Sequence, residues 1–285
     1  MHTVSYYNYH YGRHHTVVGN VQIAPDFYSP QLDNSRDILI YLPPSYHQSD
    51  RRYPVLYMHD GQNLFDDATS FSGEWRVDET MEFLSRAEKL ESIVVGIPNT
   101  GVTRTDEYSP FQDARHGGGR GHQYLSFLAY TLKPQIDRHF RTLADKPHTG
   151  ILGSSLGGLI SLYAFFHFTD IFGFCGVMSP SLWFADDAIF HYVRHTAVYH
   201  PGKIYLDAGT REFGGSWPEM VAKRARSRRY YGRVRRMKRV LVRKGYRPIR
   251  EVLHVEGKGD GHREADWAER LPNAVRYFLG DTARR

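Results

Sequence analysis

Seven short apolar runs stand out along the chain, at residues 37–42, 53–58, 92–97, 149–152, 174–178, 203–206 and 251–255. Apolar positions that continue without a polar residue at every second place mark strands buried on both faces. Turn residues close most of these runs: Pro43-Pro44, His59-Asp60-Gly61, Pro98, Gly153 and Ser179-Pro180. Between them, helices are expected at about 75–90, 122–140, 156–168, 183–195, 218–244 and 264–279. Strands alternating with helices predict an α/β fold with a mostly parallel central sheet covered by helices on both faces. The first 35 residues, rich in Tyr and His, are expected to add antiparallel strands. No repeat or low-complexity linker breaks the pattern, so a single domain over residues 1–285 is expected.

Composition changes this picture little. A chain of 285 residues, 41% hydrophobic, can bury a sizeable core without covalent staples. Cys175 is the only cysteine, which excludes an intramolecular disulfide. The opening MHTVSYYNYHYGRHH holds no apolar stretch of signal-peptide length, and no run is long enough to span a bilayer. A soluble protein of the cytoplasm is the expectation.

Charge is more informative. The net charge is +6, yet residues 220–250 alone hold 14 Lys/Arg and no Asp or Glu. The rest of the chain sets 23 basic residues against 31 acidic ones, a mildly acidic body. Val234, Met237 and Leu241 have helical spacing, so the basic segment at 223–244 is expected to be an amphipathic helix with an arginine-rich solvated face. The competing reading is attraction of an acidic substrate. Nucleic acid is not expected as a partner, because no reader motif accompanies the charge. No H-E-x-x-H or cysteine cluster is present, so no metal is assigned.

Gly153-Ser154-Ser155-Leu156-Gly157 matches G-x-S-x-G and sits between a strand-like run and a helical one. That is the strand–turn–helix setting in which a nucleophilic serine is held on a strained turn. The turn aims Ser155 Oγ above the sheet at a helix N-terminus, and the Leu156 N–H points at a developing oxyanion. The alternative is a phosphate-binding turn, but no Lys-Ser/Thr follows the glycines, which excludes a P-loop.

A serine hydroxyl needs a base, and in this arrangement the acid and then the histidine follow in chain order. His262 lies past the run at 251–255 in the glycine-rich stretch Gly257-Lys258-Gly259-Asp260-Gly261. Glu212 lies past the run at 203–206, beyond Gly209, and is the preferred acid. Asp207 is the runner-up, and Asp260 a third candidate. A second oxyanion donor is expected from the loop after an earlier strand. The Gln62 N–H is preferred, over His116-Gly117-Gly118-Gly119, because His59-Asp60-Gly61-Gln62 follows a good strand directly. Residues 104–122 are expected to form a mobile loop or lid. Trp183 is a candidate substrate contact, with a core role as its competitor. Asp60 is another candidate contact, or else an anchor for the oxyanion loop.

Five separated motifs carry a family resemblance. They are His59-Asp60-Gly61-Gln62-Asn63-Leu64-Phe65; Val94-Val-Gly-Ile-Pro-Asn-Thr-Gly-Val-Thr-Arg104 with Glu107-Tyr108-Ser109-Pro110; the elbow Gly153-Ser-Ser-Leu-Gly-Gly158; Gly209-Thr-Arg-Glu212; and Gly261-His-Arg-Glu-Ala-Asp-Trp267. Over about residues 21–279 the chain resembles the putative-esterase family. That family includes enterochelin, feruloyl and acetyl-xylan esterases, esterase D and the mycolyltransferases. The resemblance implies an α/β-hydrolase fold without metal or organic cofactor. It puts Ser155, Glu212 and His262 on the family's nucleophile, acid and base positions. It does not fix the substrate: a small-molecule ester is expected, with an anionic or sugar-linked one among the options. Transfer of the acyl group to a sugar hydroxyl, or a non-catalytic binding role on the same fold, are the competing functions.

Overall fold

The computed structural model describes residues 4–9, 14–214 and 220–280. Nine strands form one sheet in the order β1 (Tyr7–Asn8), β2 (Asn20–Ser29), β3 (Asn34–Leu42), β5 (Ile93–Ile97), β4 (Val55–His59), β8 (Thr149–Ser155), β9 (Phe174–Pro180), β10 (Lys203–Gly209) and β11 (Val252–Gly257). The first three pair antiparallel, β3 meets β5 antiparallel, and every pairing from β5 to β11 is parallel. A separate two-stranded ribbon joins β6 (Gln112–Asp113) to β7 (Gly117–Gly118).

The continuous apolar runs are explained by burial on both sides. Along β4, Val55 and Tyr57 face one core while Leu56 and Met58 face the other. The second core is roofed by α1 (Val77–Glu88) and α8 (Glu264–Leu279), through Met81, Leu84, Trp267, Leu271 and Phe278. The first is covered by α3 (Gly121–Phe127), α4 (Lys133–His139), α5 (Leu156–His167), α6 (Phe184–His191) and α7 (Met220–Arg243). Every residue of α5 from Gly157 to Phe166 is buried, which is why that helix is apolar all round. No helix among the described residues is long and apolar enough to cross a membrane.

Two expected helices are interrupted. The pattern at 122–140 breaks into α3, a π-helical turn at Leu128–Leu132, and α4. Pro134 falls at this break, where its missing N–H removes one bond of the ladder. In the segment expected at 183–195, Ala185, Asp186 and Asp187 have positive φ, and a π-helical turn follows at Tyr192–Thr196. Residues 104–122 are not one open loop. They hold the short helix α2 (Arg104–Glu107) and the β6–β7 ribbon, pinned where the Gly118 N–H donates to Asp106 at 2.7 Å.

Candidate active site

The carboxyl ends of β4, β8, β9, β10 and β11 converge on one edge of the sheet, and each delivers part of the site. At the end of β8, Ser155 has φ 56° and ψ −121°, a conformation L-residues avoid. Only small neighbours permit this turn. A Cβ on Gly153 would lie 2.8 Å from the His59 ring and 2.9 Å from the Gly157 carbonyl carbon. The Leu156 N–H opens α5, so the positive end of a twelve-residue helix lies beside the serine.

His262 follows β11 and Glu212 follows β10. The His262 Nδ1 lies 2.5 Å from Glu212 Oε2, and the His262 backbone N–H donates to the Glu212 carbonyl at 3.1 Å. Glu212 is buried, and its Oε1 accepts from the Gly209 N–H and the Ser179 hydroxyl, both at 2.6 Å. Trp267 and Tyr230 meet the His262 ring edge-on at 4.9 and 5.6 Å, leaving the imidazole 28% exposed toward the cavity.

The competing acids are engaged elsewhere. Asp207 is fully buried and takes Arg270 Nε at 3.0 Å and the Ser179 N–H at 3.1 Å. Burial pushes its carboxyl up, with Arg270 opposing. Asp260 also pairs with Arg270. Arg270 therefore ties the ends of β9 and β10 to the loop after β11, through Ser179, Asp207 and Asp260, and Glu212 is the carboxylate that reaches His262. No sequence motif marks Arg270. The available signal was a lone charge on the apolar stripe Trp267, Leu271, Ala274.

Ser155 Oγ hydrogen-bonds Ser181 Oγ at 3.1 Å rather than His262, although both residues line one cavity. Catalytic hydrogen bonds are often incomplete without substrate. The cavity, about 530 Å³, is walled by His116, Trp183, Phe213 and Tyr230 and by three arginines of α7. Trp183 is half-buried, facing this cavity as well as the core. Ser179, Ser181 and Tyr230 carried no sequence signal. The Tyr230 hydroxyl donates to the Ser179 carbonyl at 2.6 Å, holding the strand end that presents Ser181.

The basic helix differs from expectation. Val234, Met237 and Leu241 are buried as the spacing predicts, and Tyr230, one turn earlier, is buried with them. However, Arg226, Arg229 and Arg233 line the cavity with Ser155 and His262 instead of pointing only to solvent. Arg233 donates to Asp187 at 2.6 Å, and Arg226 lies 4.6 Å over the Phe213 ring.

Asp60 sits just past β4 with both carboxylate oxygens committed. Arg104 donates to them at 2.7 and 2.8 Å and Asn99 at 2.7 Å. Burial would raise its pKa, but the Arg104 guanidinium together with the Asn99 hydrogen bond holds it below the usual range. The adjoining turn Gly61–Asn63 carries Gln62, whose side-chain oxygen accepts the Asn99 N–H at 3.2 Å. In the triple-glycine stretch, the N–H groups of Gly118 and Gly119 are spent on Asp106 and Ser109, and it is His116 that reaches the cavity.

His59 fills the space beneath the elbow. Its Nδ1 lies 2.8 Å from the Tyr124 hydroxyl, and burial pushes its pKa down to about 3. A depressed value means the folded state refuses a proton that the unfolded chain accepts near pH 6.5. The stability this neutral imidazole permits is full above pH 6.5 and falls as the pH drops below it, by about 1 kcal/mol per unit. Urea unfolding between pH 7 and 5 should show a shallower decline for His59→Gln than for wild type. Equal slopes would remove His59 as the cause.

Comparison with known proteins identifies the family and the fold. Residues 29–278 match the family model described as Putative esterase, and the chain belongs to that family. It is 27% identical over 255 residues to "Uncharacterized protein YbbA" of Bacillus subtilis (strain 168), covering 86% of this chain and 93% of that one. Among solved structures, the BES protein from Bacillus cereus superposes with a TM-score of 0.71 at 20% identity, over 95% of this chain and 99% of that one. The siderophore hydrolase EstA from Aspergillus nidulans gives 0.66 at 18% identity, over 99% and 94%. The fold is that of the α/β-hydrolases, and the chain is an ester hydrolase by family.

Proposed function

We propose that the protein is a serine ester hydrolase working through Ser155, His262 and Glu212 by way of an acyl-enzyme. The observation that carries this is the 2.5 Å contact from buried Glu212 to His262, which lines the same cavity as Ser155 on its strained turn. With its Nδ1 proton held by Glu212, His262 presents Nε2 as a base. Ser155 turns from Ser181 to His262, gives up its proton and attacks the ester carbonyl. The N–H groups of Leu156 and Gln62 hold the oxyanion, a contribution of about 3–4 kcal/mol per donor in such sites. His262 then protonates the departing alkoxide, and water attacks the acyl-enzyme with His262 again as base. Asp60 anchors the oxyanion loop through Arg104, and no metal or organic cofactor enters these steps.

The substrate we infer is a small ester carrying negative charge close to the reacting carbonyl. Three guanidinium groups border the cavity, and only Arg233 among them is paired to a carboxylate among the described residues. A low-dielectric cleft lined by one sign of charge concentrates ligands of the other. Trp183, Phe213 and Tyr230 offer flat apolar walls, which suits an aryl or sugar ring.

Two measurements test the proposal. A fluorophosphonate probe should label the wild-type protein at Ser155, and 4-nitrophenyl acetate should be hydrolysed. Failure of both removes the serine-esterase reading. In the double variant Arg226→Gln/Arg229→Gln, kcat/KM for 4-nitrophenyl hemisuccinate should fall about tenfold further than for the neutral acetate, with the gap closing at high salt. Equal losses on the two esters would remove the charge preference.

A further inference from the structure

We propose that Glu74, Asp78 and Glu79 bind one divalent cation of the hard, oxygen-ligated kind, with Ca²⁺ the best fit. The three flank the start of α1, away from the catalytic cavity. One carboxylate oxygen from each lies within 4.8 Å of the other two. Each also has an oxygen, Glu74 Oε1, Asp78 Oδ1 or Glu79 Oε2, that is buried without a hydrogen-bond partner among the described residues. Asp78 is fully buried. Two of the carboxylates are fixed from behind: Asp78 Oδ2 accepts the Val18 N–H at 2.7 Å, and Glu74 Oε2 accepts the Thr16 hydroxyl at 2.9 Å. These anchors leave the second oxygens of Asp78 and Glu74 without protein donors.

Carboxylates this close repel, and desolvated acceptors without donors cost free energy. The N-terminus of α1 offsets only a small part, typically about 0.3–1 kcal/mol per charge. Among the described residues, none of the three forms an ion pair with Lys or Arg. Either protons or a cation must therefore relieve the cluster. Burial pushes both Asp78 and Glu74 upward, Glu74 to about 7, so the proton is the competitor a metal must displace. Oxygen-only donors exclude a preference for soft or imidazole-seeking metals. Ca²⁺–oxygen bonds of about 2.3–2.6 Å put opposite ligands up to roughly 5 Å apart, whereas Mg²⁺ demands a tighter octahedron near 2.0–2.1 Å per bond. The ion would tie the chain entering α1 to the N-terminal segment that carries Thr16 and Val18. Its neighbour Trp75 packs on Trp267 at 5.5 Å, so the brace lies two aromatic contacts from His262.

The test uses the full chain stripped with EDTA and does not depend on hydrolysis. Equilibrium dialysis against CaCl₂ should count one Ca²⁺ per chain, bound at submillimolar concentration. The melting temperature should rise by about 3 °C or more in excess Ca²⁺ and by less in Mg²⁺. Glu74→Gln/Glu79→Gln, which alters the two less buried ligands, should abolish both effects while the variant still melts cooperatively. Asp78→Asn provides a second variant expected to lose the bound ion. The proposal is overturned if wild type takes up no ion at 5 mM Ca²⁺ (about fivefold above the upper end of the expected range), or if the double variant binds it equally. Absence of uptake together with a more stable Asp78→Asn in EDTA would identify a shared proton as the occupant instead.

Discussion

Ser155→Ala should lower kcat on 4-nitrophenyl acetate by a factor on the order of 10⁶ and abolish fluorophosphonate labelling. Both effects follow from one atom, because in the proposed mechanism Oγ forms the bond to the acyl carbon. The fold should be untouched: alanine keeps the Cβ, and the lost hydrogen bond to Ser181 is a single partly exposed one. The backbone permits a sharper check. With φ at 56°, residue 155 pays for a conformation that glycine adopts freely. Ser155→Gly should therefore be as inactive as the alanine variant yet more stable than it by about 1 kcal/mol in urea unfolding. An alanine variant with near wild-type kcat would place the nucleophile elsewhere. A glycine variant less stable than alanine would show that the turn is unstrained.

Glu212→Gln should reduce kcat by about 10³–10⁴ with a change in stability of about 1 kcal/mol or less. Its amide oxygen can keep the bonds from Gly209 and Ser179. The amide nitrogen then faces His262 Nδ1, which must become an acceptor, so the proton moves to Nε2 and the base is lost. Asp207→Asn should behave the opposite way. It leaves buried Arg270 with Asp260 as its remaining charged partner, and breaking a buried pair costs about 3–5 kcal/mol. The folded fraction should retain most of its kcat, since Asp207 does not touch His262. The two variants separate the roles by kcat against urea midpoint. A stable but inactive Asp207→Asn beside an active Glu212→Gln would reverse the assignment of the acid.

Much of this was legible along the chain because two signals are local. Strands buried on both faces must be continuously apolar, so β4, β5, β8 and β9 can be read one residue at a time. The elbow is local in part: a Cβ on Gly153 would lie 2.9 Å from the Gly157 carbonyl carbon within the turn itself, although the distant His59 ring excludes it as well. Other features depend on partners far away in sequence. Arg270 braces Asp207, 63 residues earlier, and Asp60 is occupied by Arg104, 44 residues later. Neither pairing leaves a mark at either position alone. The basic helix shows the same limit. Its buried stripe follows from spacing, but periodicity does not say which exposed edge overhangs a cavity.

The sequence by itself determined the α/β alternation, the elbow carrying Ser155, and the chain order in which an acid and then His262 follow it. Those depend on burial and on backbone geometry within a few residues. Only the tertiary structure decided that Glu212 rather than Asp207 meets His262, because register between β10 and β11 brings the two loops together. It also decided that Arg226, Arg229 and Arg233 line the cavity that holds Ser155, and that Glu74, Asp78 and Glu79 converge. A charge acquires its meaning from what lies within a few ångströms of it, and in these cases the packing of separate elements sets those distances.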